Sequence, residues 1–148
     1  MRHRNSEPTA RRHTFPAWLW FAAWSALIVA ATVPGKDFVG HTHWQKVQWI
    51  PFRSPPVKGF DVAANVLLYL PLGYTLLRAL PRPRIWYAVA FASLLSVALE
   101  WSQLYSHWRF PSAQDVVCNV FGAWVGAWLA TRRRFGTYLS TTTRTGFV

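Results

Sequence analysis

The chain has 148 residues, enough for one domain, and its 52% hydrophobic and only 14% charged residues favour a polytopic membrane protein, because about 25% of residues are charged in soluble domains. The formal net charge of +11 would suit nucleic-acid binding, but the basic residues lie in tails and loops between apolar segments, and we expect no nucleic-acid partner. The single cysteine, Cys118, excludes an intramolecular disulfide framework and a cysteine-based zinc site.

The first predicted helix covers residues 15–33, FPAWLWFAAWSALIVAATV. Crossing a bilayer takes about 20 predominantly apolar residues, so this run is long enough. Basic residues precede it, which is also the arrangement of a cleaved signal peptide. Because the apolar run exceeds the core of a signal, we predict a retained helix behind a cytoplasmic basic tail, residues 1–14. The loop that follows, residues 34–59, is too long for a turn and is expected on the outer membrane surface.

Three further apolar segments are predicted as helices, at residues 60–77, 85–104 and 115–131. Pro71 is expected to kink the second of them, which membrane helices tolerate when neighbours bond to the freed backbone groups. The last segment, residues 132–148, is a polar tail that we expect to be cytoplasmic, and its final part, YLSTTTRTGFV at 138–148, is expected to be disordered. The predicted fold is an all-α, integral-membrane four-helix bundle over residues 15–131.

The placement of Lys and Arg predicts the orientation, because cytoplasmic loops carry an excess of these residues. With the N-terminus inside, eleven of the sixteen basic residues fall on the cytoplasmic side. Both termini are therefore predicted in the cytoplasm. Trp101 and Trp108 then lie near the outer interface, where tryptophans usually anchor a protein. The basic residues left outside are Lys36, Lys46, Arg53, Lys58 and Arg109.

Three of the five acidic residues are predicted at the outer end of the bundle. Asp61 opens the second helix, Glu100 lies near the end of the third, and Asp115 opens the fourth. Ionisable groups within a membrane are costly, and they usually face the bundle interior with a partner. We therefore predict that the three carboxylates share a polar pocket, and they are the candidate catalytic residues if the protein is an enzyme.

Each acid is followed by an amide at helical spacing, so that acid and amide share a helix face. The amide stands four residues on in the second and fourth helices and three residues on in the third. Arg109, in the short third loop, is the natural cation, because its planar fork can bind a carboxylate with two hydrogen bonds. The predicted binding residues are Asp61, Asn65, Glu100, Gln103, Arg109, Asp115 and Asn119.

A structural interpretation competes with this functional one. Aspartate is a favoured N-cap whose charge complements the positive end of a helix, so Asp61 and Asp115 could be caps alone. The asparagines could be polar contacts between helices, and the GxxxG pattern of Gly122 and Gly126 is typical of close helix packing. Glu100 begins no helix, so it favours the functional interpretation.

No motif indicates a metal or a cofactor. His41, His43 and His107 are predicted on the outer side, but HExxH or a comparable zinc-binding spacing does not occur. A Gly-rich phosphate loop is not found, and the serines lack a GxSxG context. We therefore predict neither a metal site nor a cofactor.

The stretches DVAANV at 61–66 and DVVCNV at 115–120 form a candidate internal repeat. Each follows an HW pair and a proline next to a phenylalanine. Duplication of a helical hairpin would give parallel repeats and would place the two Asp–Asn pairs across a pseudo-twofold axis, with a cleft between them. Chance similarity is the alternative.

An ordered series of motifs resembles the VanZ-like family of small bacterial membrane proteins. The series is PF at 51–52, DVAANVLLYLPLG at 61–73, E-x-x-Q at 100–103, Arg109 and DVVCNVFGAWVG at 115–126. The resemblance implies a multi-pass protein of the bacterial inner or plasma membrane, with no established reaction or cofactor. The family takes its name from a protein associated with resistance to teicoplanin, an antibiotic that acts on the cell wall. The motif residues carried over are Asp61, Asn65, Pro71, Gly73, Glu100, Gln103, Arg109, Asp115, Asn119 and Gly122.

The leading hypothesis is a protein that binds or modulates a cell-envelope component, such as a lipid-linked wall precursor, or that scaffolds other envelope proteins. The expected partners are the lipid bilayer and that component. One alternative is an acid–base enzyme on a lipid-linked substrate, with Glu100 and one Asp as acid and base and Arg109 steadying an anion. Another is a small proton-coupled transporter. Since the sequence has no nucleophile or metal signature, the binding hypothesis is preferred over an enzyme.

Overall fold

The described part of the chain contains four α-helices, joined by loops that include a 3₁₀ turn at Trp44–Lys46. A computed structural model describes residues 16–33, 35, 38–53 and 59–142, with side chains as far as residue 133. The helices are α1 (Ala17–Thr32), α2 (Gly59–Ala79), α3 (Ile85–Gln103) and α4 (Ala113–Thr142). The predicted all-helical class with four helices is confirmed, while the predicted basic tail at 1–14 lies outside the described residues.

α4 is longer than predicted, because it continues through residues 132–142. The predicted end of the fourth helix at residue 131 is therefore wrong, and so is the disorder expected for residues 138–142. The sequence of residues 132–142, RRRFGTYLSTT, contains no proline and a single glycine. Nothing in it stops a helix that has already formed upstream.

α2 and α4 are parallel and form the most extensive helix pair of the bundle. Gly122 of α4 lies against Val66 of α2, and one turn further on Gly126 lies against Leu70. Because these contacts advance in the same direction along both helices, the two helices are parallel. Their first turns, with the two aspartates, lie at the same end of the bundle.

Glycines let these two helices touch through their backbones. A Cβ added at Gly122 or Gly126 would overlap a backbone carbonyl of α2, and one added at Gly73 would overlap a carbonyl of α4. Buried alanines, among them Ala123 and Ala127, continue this face of α4. Small residues are typical of interfaces between membrane helices, where close packing replaces the hydrophobic effect. The GxxxG pattern of α4 thus serves packing.

α1 and α3 run antiparallel to this pair. Short connections, residues 80–84 and 104–112, join α3 to α2 and to α4. Trp24 fixes α1 against α2 by donating its indole N–H to the carbonyl of Leu68 at 2.6 Å. That carbonyl lies in the helical turn before Pro71, so a neighbouring helix bonds to the backbone next to the proline. The kink at Pro71 itself stays a prediction.

Large apolar side chains face outward from the middle of the bundle. Leu67 and Leu94 are 65% and 74% exposed, whereas the buried core is a small cluster that includes Ile28, Tyr69 and Leu72. By length and composition, α2 and α3 could each cross a membrane, and α1 is a shorter apolar helix. Large apolar side chains on the outer surface and small residues between the helices are the arrangement expected of a bundle surrounded by lipid.

The loop between α1 and α2 folds onto the loop between α3 and α4. Val39 and His43 donate their backbone N–H groups to carbonyls of the second loop, at 2.8 and 3.1 Å. Gln48 both donates and accepts a backbone bond at the start of α4, at 2.9 and 3.0 Å. These bonds hold residues 38–53 against the end of the bundle that carries the acidic residues.

Candidate functional site

One cavity at the acidic end of the bundle collects the residues predicted to form a binding site. Its volume is about 620 Å³, within the roughly 300–1,000 Å³ of small-molecule sites. α2, α3, α4 and the loop before α4 supply the polar groups, and the end of α1 supplies Ala31 and Thr32. All the predicted binding residues line it: Asp61, Asn65, Glu100, Gln103, Arg109, Asp115 and Asn119.

Asp61 and Asp115 occupy equivalent places on the two parallel helices. Each is the third residue of its helix, so neither is the N-cap of the structural interpretation, although a negative charge is favourable in a first turn. Asp61 is exposed and Asp115 is half-buried. Across the α2–α4 interface, Asp115 interacts with the charge of Asp61 and with the side-chain amide of Asn65. The two DVxxNV segments therefore meet, while their origin by duplication stays a prediction.

Glu100 is held in place by the loop that leads into α4. It lies near the end of α3 and is 8% exposed. Its Oε2 accepts a hydrogen bond from the backbone N–H of Ser112 at 2.7 Å, a strong type of bond when the acceptor is charged. Because Ser112 directly precedes α4, this bond orients the carboxylate. Its Oε1 accepts no hydrogen bond from the described residues.

Asn119 and Tyr69 line the cavity one or two turns further into the bundle. Asn119 donates its Nδ2–H to Ser96 Oγ at 2.9 Å, which joins α4 to α3. The Oδ1 of Asn119 is buried without a hydrogen-bond partner among the described residues. Unpartnered buried polar groups are uncommon in native proteins. This atom is therefore positioned to bind a polar occupant of the cavity, whereas the buried hydroxyl of Tyr69 interacts with Ser96.

Arg109 lies at the rim of the cavity and is exposed. It forms no ion pair with the carboxylates of the described residues, so the carboxylate pairing that its position suggested is not formed. Trp108 lines the cavity beside it and is 80% exposed. The rim therefore combines a guanidinium with an aromatic face. The predicted position of Trp108 at the outer membrane interface stays a prediction.

The three histidines predicted on the outer side lie together in the loops. The ring centroids of His41 and His43 are 4.7 Å apart, and those of His43 and His107 are 5.8 Å apart. Within the described residues, no group of three His, Cys, Asp or Glu side chains has the arrangement of a metal site. The histidine cluster is a packing contact between the two loops.

Sequence reasoning missed two contributors to the cavity. Tyr69 stands four residues after Asn65 and eight after Asp61, so it is the next position on the same face of α2. Continuing the face of Asp61 and Asn65 by one further turn identifies Tyr69. Ser112 acts on Glu100 through its backbone N–H, and a backbone donor leaves no signal in the residue pattern.

Carboxylates outnumber cationic groups in the cavity. Three carboxylates line it with the single guanidinium of Arg109 and the amides of Asn65, Gln103 and Asn119. Such a set suits an occupant with amine or hydroxyl groups. Glu100 and Asp115 also line the same space, which is the minimum requirement for a pair of carboxyl groups to act as acid and base.

Comparison with known proteins gives a family match. The family model described as VanZ/LLP1 matches residues 13–135, a range that includes every residue lining the cavity. No curated protein and no solved structure matches the chain. Similarity to this family, together with two helices long and apolar enough to cross a membrane, indicates a membrane protein.

Proposed function

The chain belongs to the VanZ/LLP1 family, and from that premise we propose that it is a multi-pass bacterial cell-membrane protein whose polar cavity opens outward and binds a cell-envelope component. The occupant class that we favour is the head group of a lipid-linked envelope component, such as a wall precursor. Resistance to a glycopeptide such as teicoplanin would be a consequence of that binding.

A single observation carries the proposal. Polar side chains from three largely apolar helices converge on one cavity of about 620 Å³. Ionisable groups in membrane proteins are expensive and mark functional sites by default. The buried Oδ1 of Asn119, which lacks a partner among the described residues, supports a binding role that close helix packing does not require.

Charge placement supports the outward orientation. The connection between α2 and α3 contains Arg82 and Arg84, and α4 continues into RRR at 132–134. These basic residues lie at the end of the bundle opposite the cavity, and the cytoplasmic side is the side that basic residues favour. The cavity end would then face the cell wall.

The test is expression in a teicoplanin-susceptible host, with the abundance of each variant measured in membranes. We expect the wild type to raise the minimal inhibitory concentration and Glu100→Gln to abolish the increase at equal abundance. The matched control is Glu7→Gln, which removes the same charge from the N-terminal tail and should protect like the wild type. Equal protection by Glu100→Gln at equal abundance would contradict a functional cavity.

An enzyme is the second candidate, favoured by the position of Glu100. One of its oxygens is fixed by the N–H of Ser112 and the other is free, and Asp115 lines the same cavity. This arrangement suits acid–base chemistry on a lipid-linked substrate. Retained binding with lost turnover in Glu100→Gln would favour the enzyme, whereas binding and phenotype that fall in parallel would favour the binding protein.

A further inference from the structure

A second pocket adjoins the polar cavity and differs from it in chemistry. Its volume is about 270 Å³, and its walls include Trp44, Val97, Trp101 and Val116. The 38–53 loop closes one side of this pocket, and the C-terminal end of α3 and the start of α4 form the other side. Glu100 lines both spaces, and the loop before α4 borders both, since Phe110 lines the polar cavity and Pro111 lines the apolar pocket.

The polar cavity favours a positively charged occupant. It holds the carboxylates of Asp61, Glu100 and Asp115 against the single guanidinium of Arg109, and no ion pair joins them among the described residues. A protonated primary amine carries three N–H donors and a positive charge. It can therefore satisfy several carboxylate oxygens together with the unpartnered Oδ1 of Asn119, which an uncharged hydroxyl does less well.

Arg109 and the apolar pocket define the rest of the occupant. The guanidinium is exposed at the rim, where its fork is suited to an anion such as a phosphate. The apolar pocket, whose lining includes Pro111 two residues after Arg109, exposes almost no polar surface and suits a hydrocarbon chain. An ammonium group, a phosphate and a hydrocarbon chain in this order are the parts of an aminophospholipid.

We infer that the two pockets together bind an amphiphile whose head group carries a protonated primary amine beside a phosphate, the chemistry of phosphatidylethanolamine. The ammonium lies among the carboxylates of the three helices, the phosphate lies at Arg109, and one chain runs from the rim across Pro111 into the apolar pocket. This inference rests on the proposed function and names the chemical class that the same cavity takes.

The experiment is native mass spectrometry of the full chain in detergent with short-chain phospholipids at equal concentration. The probes are dioctanoyl phosphatidylethanolamine, phosphatidylcholine and phosphatidylglycerol. Phosphatidylcholine keeps the positive charge but has no N–H donor, and phosphatidylglycerol has no cation. We expect the ethanolamine lipid to be retained about tenfold more strongly than either of the others.

Two variants and a control locate the binding. Asp115→Asn keeps the shape of the side chain and removes one charge, and it should bring retention of the ethanolamine lipid down toward that of the choline lipid. Ala64→Trp places a large side chain in the cavity that Ala64 lines, and it should abolish retention of all three. Ser93→Ala removes a hydroxyl that is bonded to a carbonyl of its own helix, outside both pockets, and should retain the preference.

The outcomes separate this inference from the proposed function. Equal retention of the three lipids, lost in Ala64→Trp, would overturn the amine preference and leave an envelope-binding cavity in place. Loss of the preference in Ser93→Ala as well as in Asp115→Asn would assign it to altered packing and would also overturn the inference. No retention in any variant, with Ala64→Trp protecting a host as the wild type does, would overturn both. Thermal unfolding of each variant confirms that it is folded.

Discussion

The substitution Gly122→Ala tests whether backbone contact between α2 and α4 holds the cavity together. A Cβ at this position would overlap the carbonyl oxygen of Val66 and lie 3.0 Å from its Cα. Because both are backbone atoms, no side-chain rotation relieves the overlap, and the helices must move apart. Overpacking of this kind costs about 1–3 kcal/mol. The higher helix propensity of alanine offsets about 1 kcal/mol of this cost, so the expected net loss of stability reaches about 2 kcal/mol.

The assay is unfolding of the full chain in mixed micelles, followed by the fluorescence of its ten tryptophans. The matched control is Gly59→Ala, at the first residue of α2, where an added Cβ meets nothing within 4 Å. We expect the control to be neutral or slightly stabilising. A Gly122→Ala protein as stable as the control would refute the argument that the two backbones are in contact.

Three further predictions concern single contacts and topology. Trp24→Phe removes the indole donor that joins α1 to α2 and should lower the free energy of unfolding by about 0.5–1.5 kcal/mol, whereas Trp18→Phe, at a residue 59% exposed, should be neutral in the same unfolding assay. Ser96→Ala leaves the amide of Asn119 without its acceptor and should cost about 1–3 kcal/mol; a double-mutant cycle with Asn119→Leu should show clear coupling, and strict additivity would contradict the bond. Reporter fusions should place the loop at 105–114 outside the cell, and a cytoplasmic signal there would reject the outward orientation.

The helices and the meeting of the acids could be predicted from the sequence, because both follow from local periodicity. Apolar runs give the helices, and topology brings the first turns of the second and fourth helices to the end of the third. The separation of acid and amide by one turn places Asp61 with Asn65 and Asp115 with Asn119 on common faces. These residues do line one cavity.

The partners of the charged groups could not be predicted, because they depend on loop conformation. Arg109 was the obvious cation by proximity in sequence, yet it lies at the rim without an ion pair among the described residues. The partner of Glu100 is a backbone N–H, which every residue except proline carries. The predicted end of α4 at residue 131 is wrong, because residues 132–142 contain no proline and a helix that has formed upstream continues through them.

The way in which the 38–53 loop is attached has a consequence for sequence variation. Its bonds to the opposite loop run between main-chain groups, which are the same for almost any side chain. Most positions in this loop should therefore accept substitutions, with buried His43 as an exception. A one-residue insertion or deletion would instead shift every donor past its acceptor. Saturation mutagenesis of the loop should record tolerance of exchanges alongside intolerance of length changes, a pattern opposite to that of an ordinary surface loop.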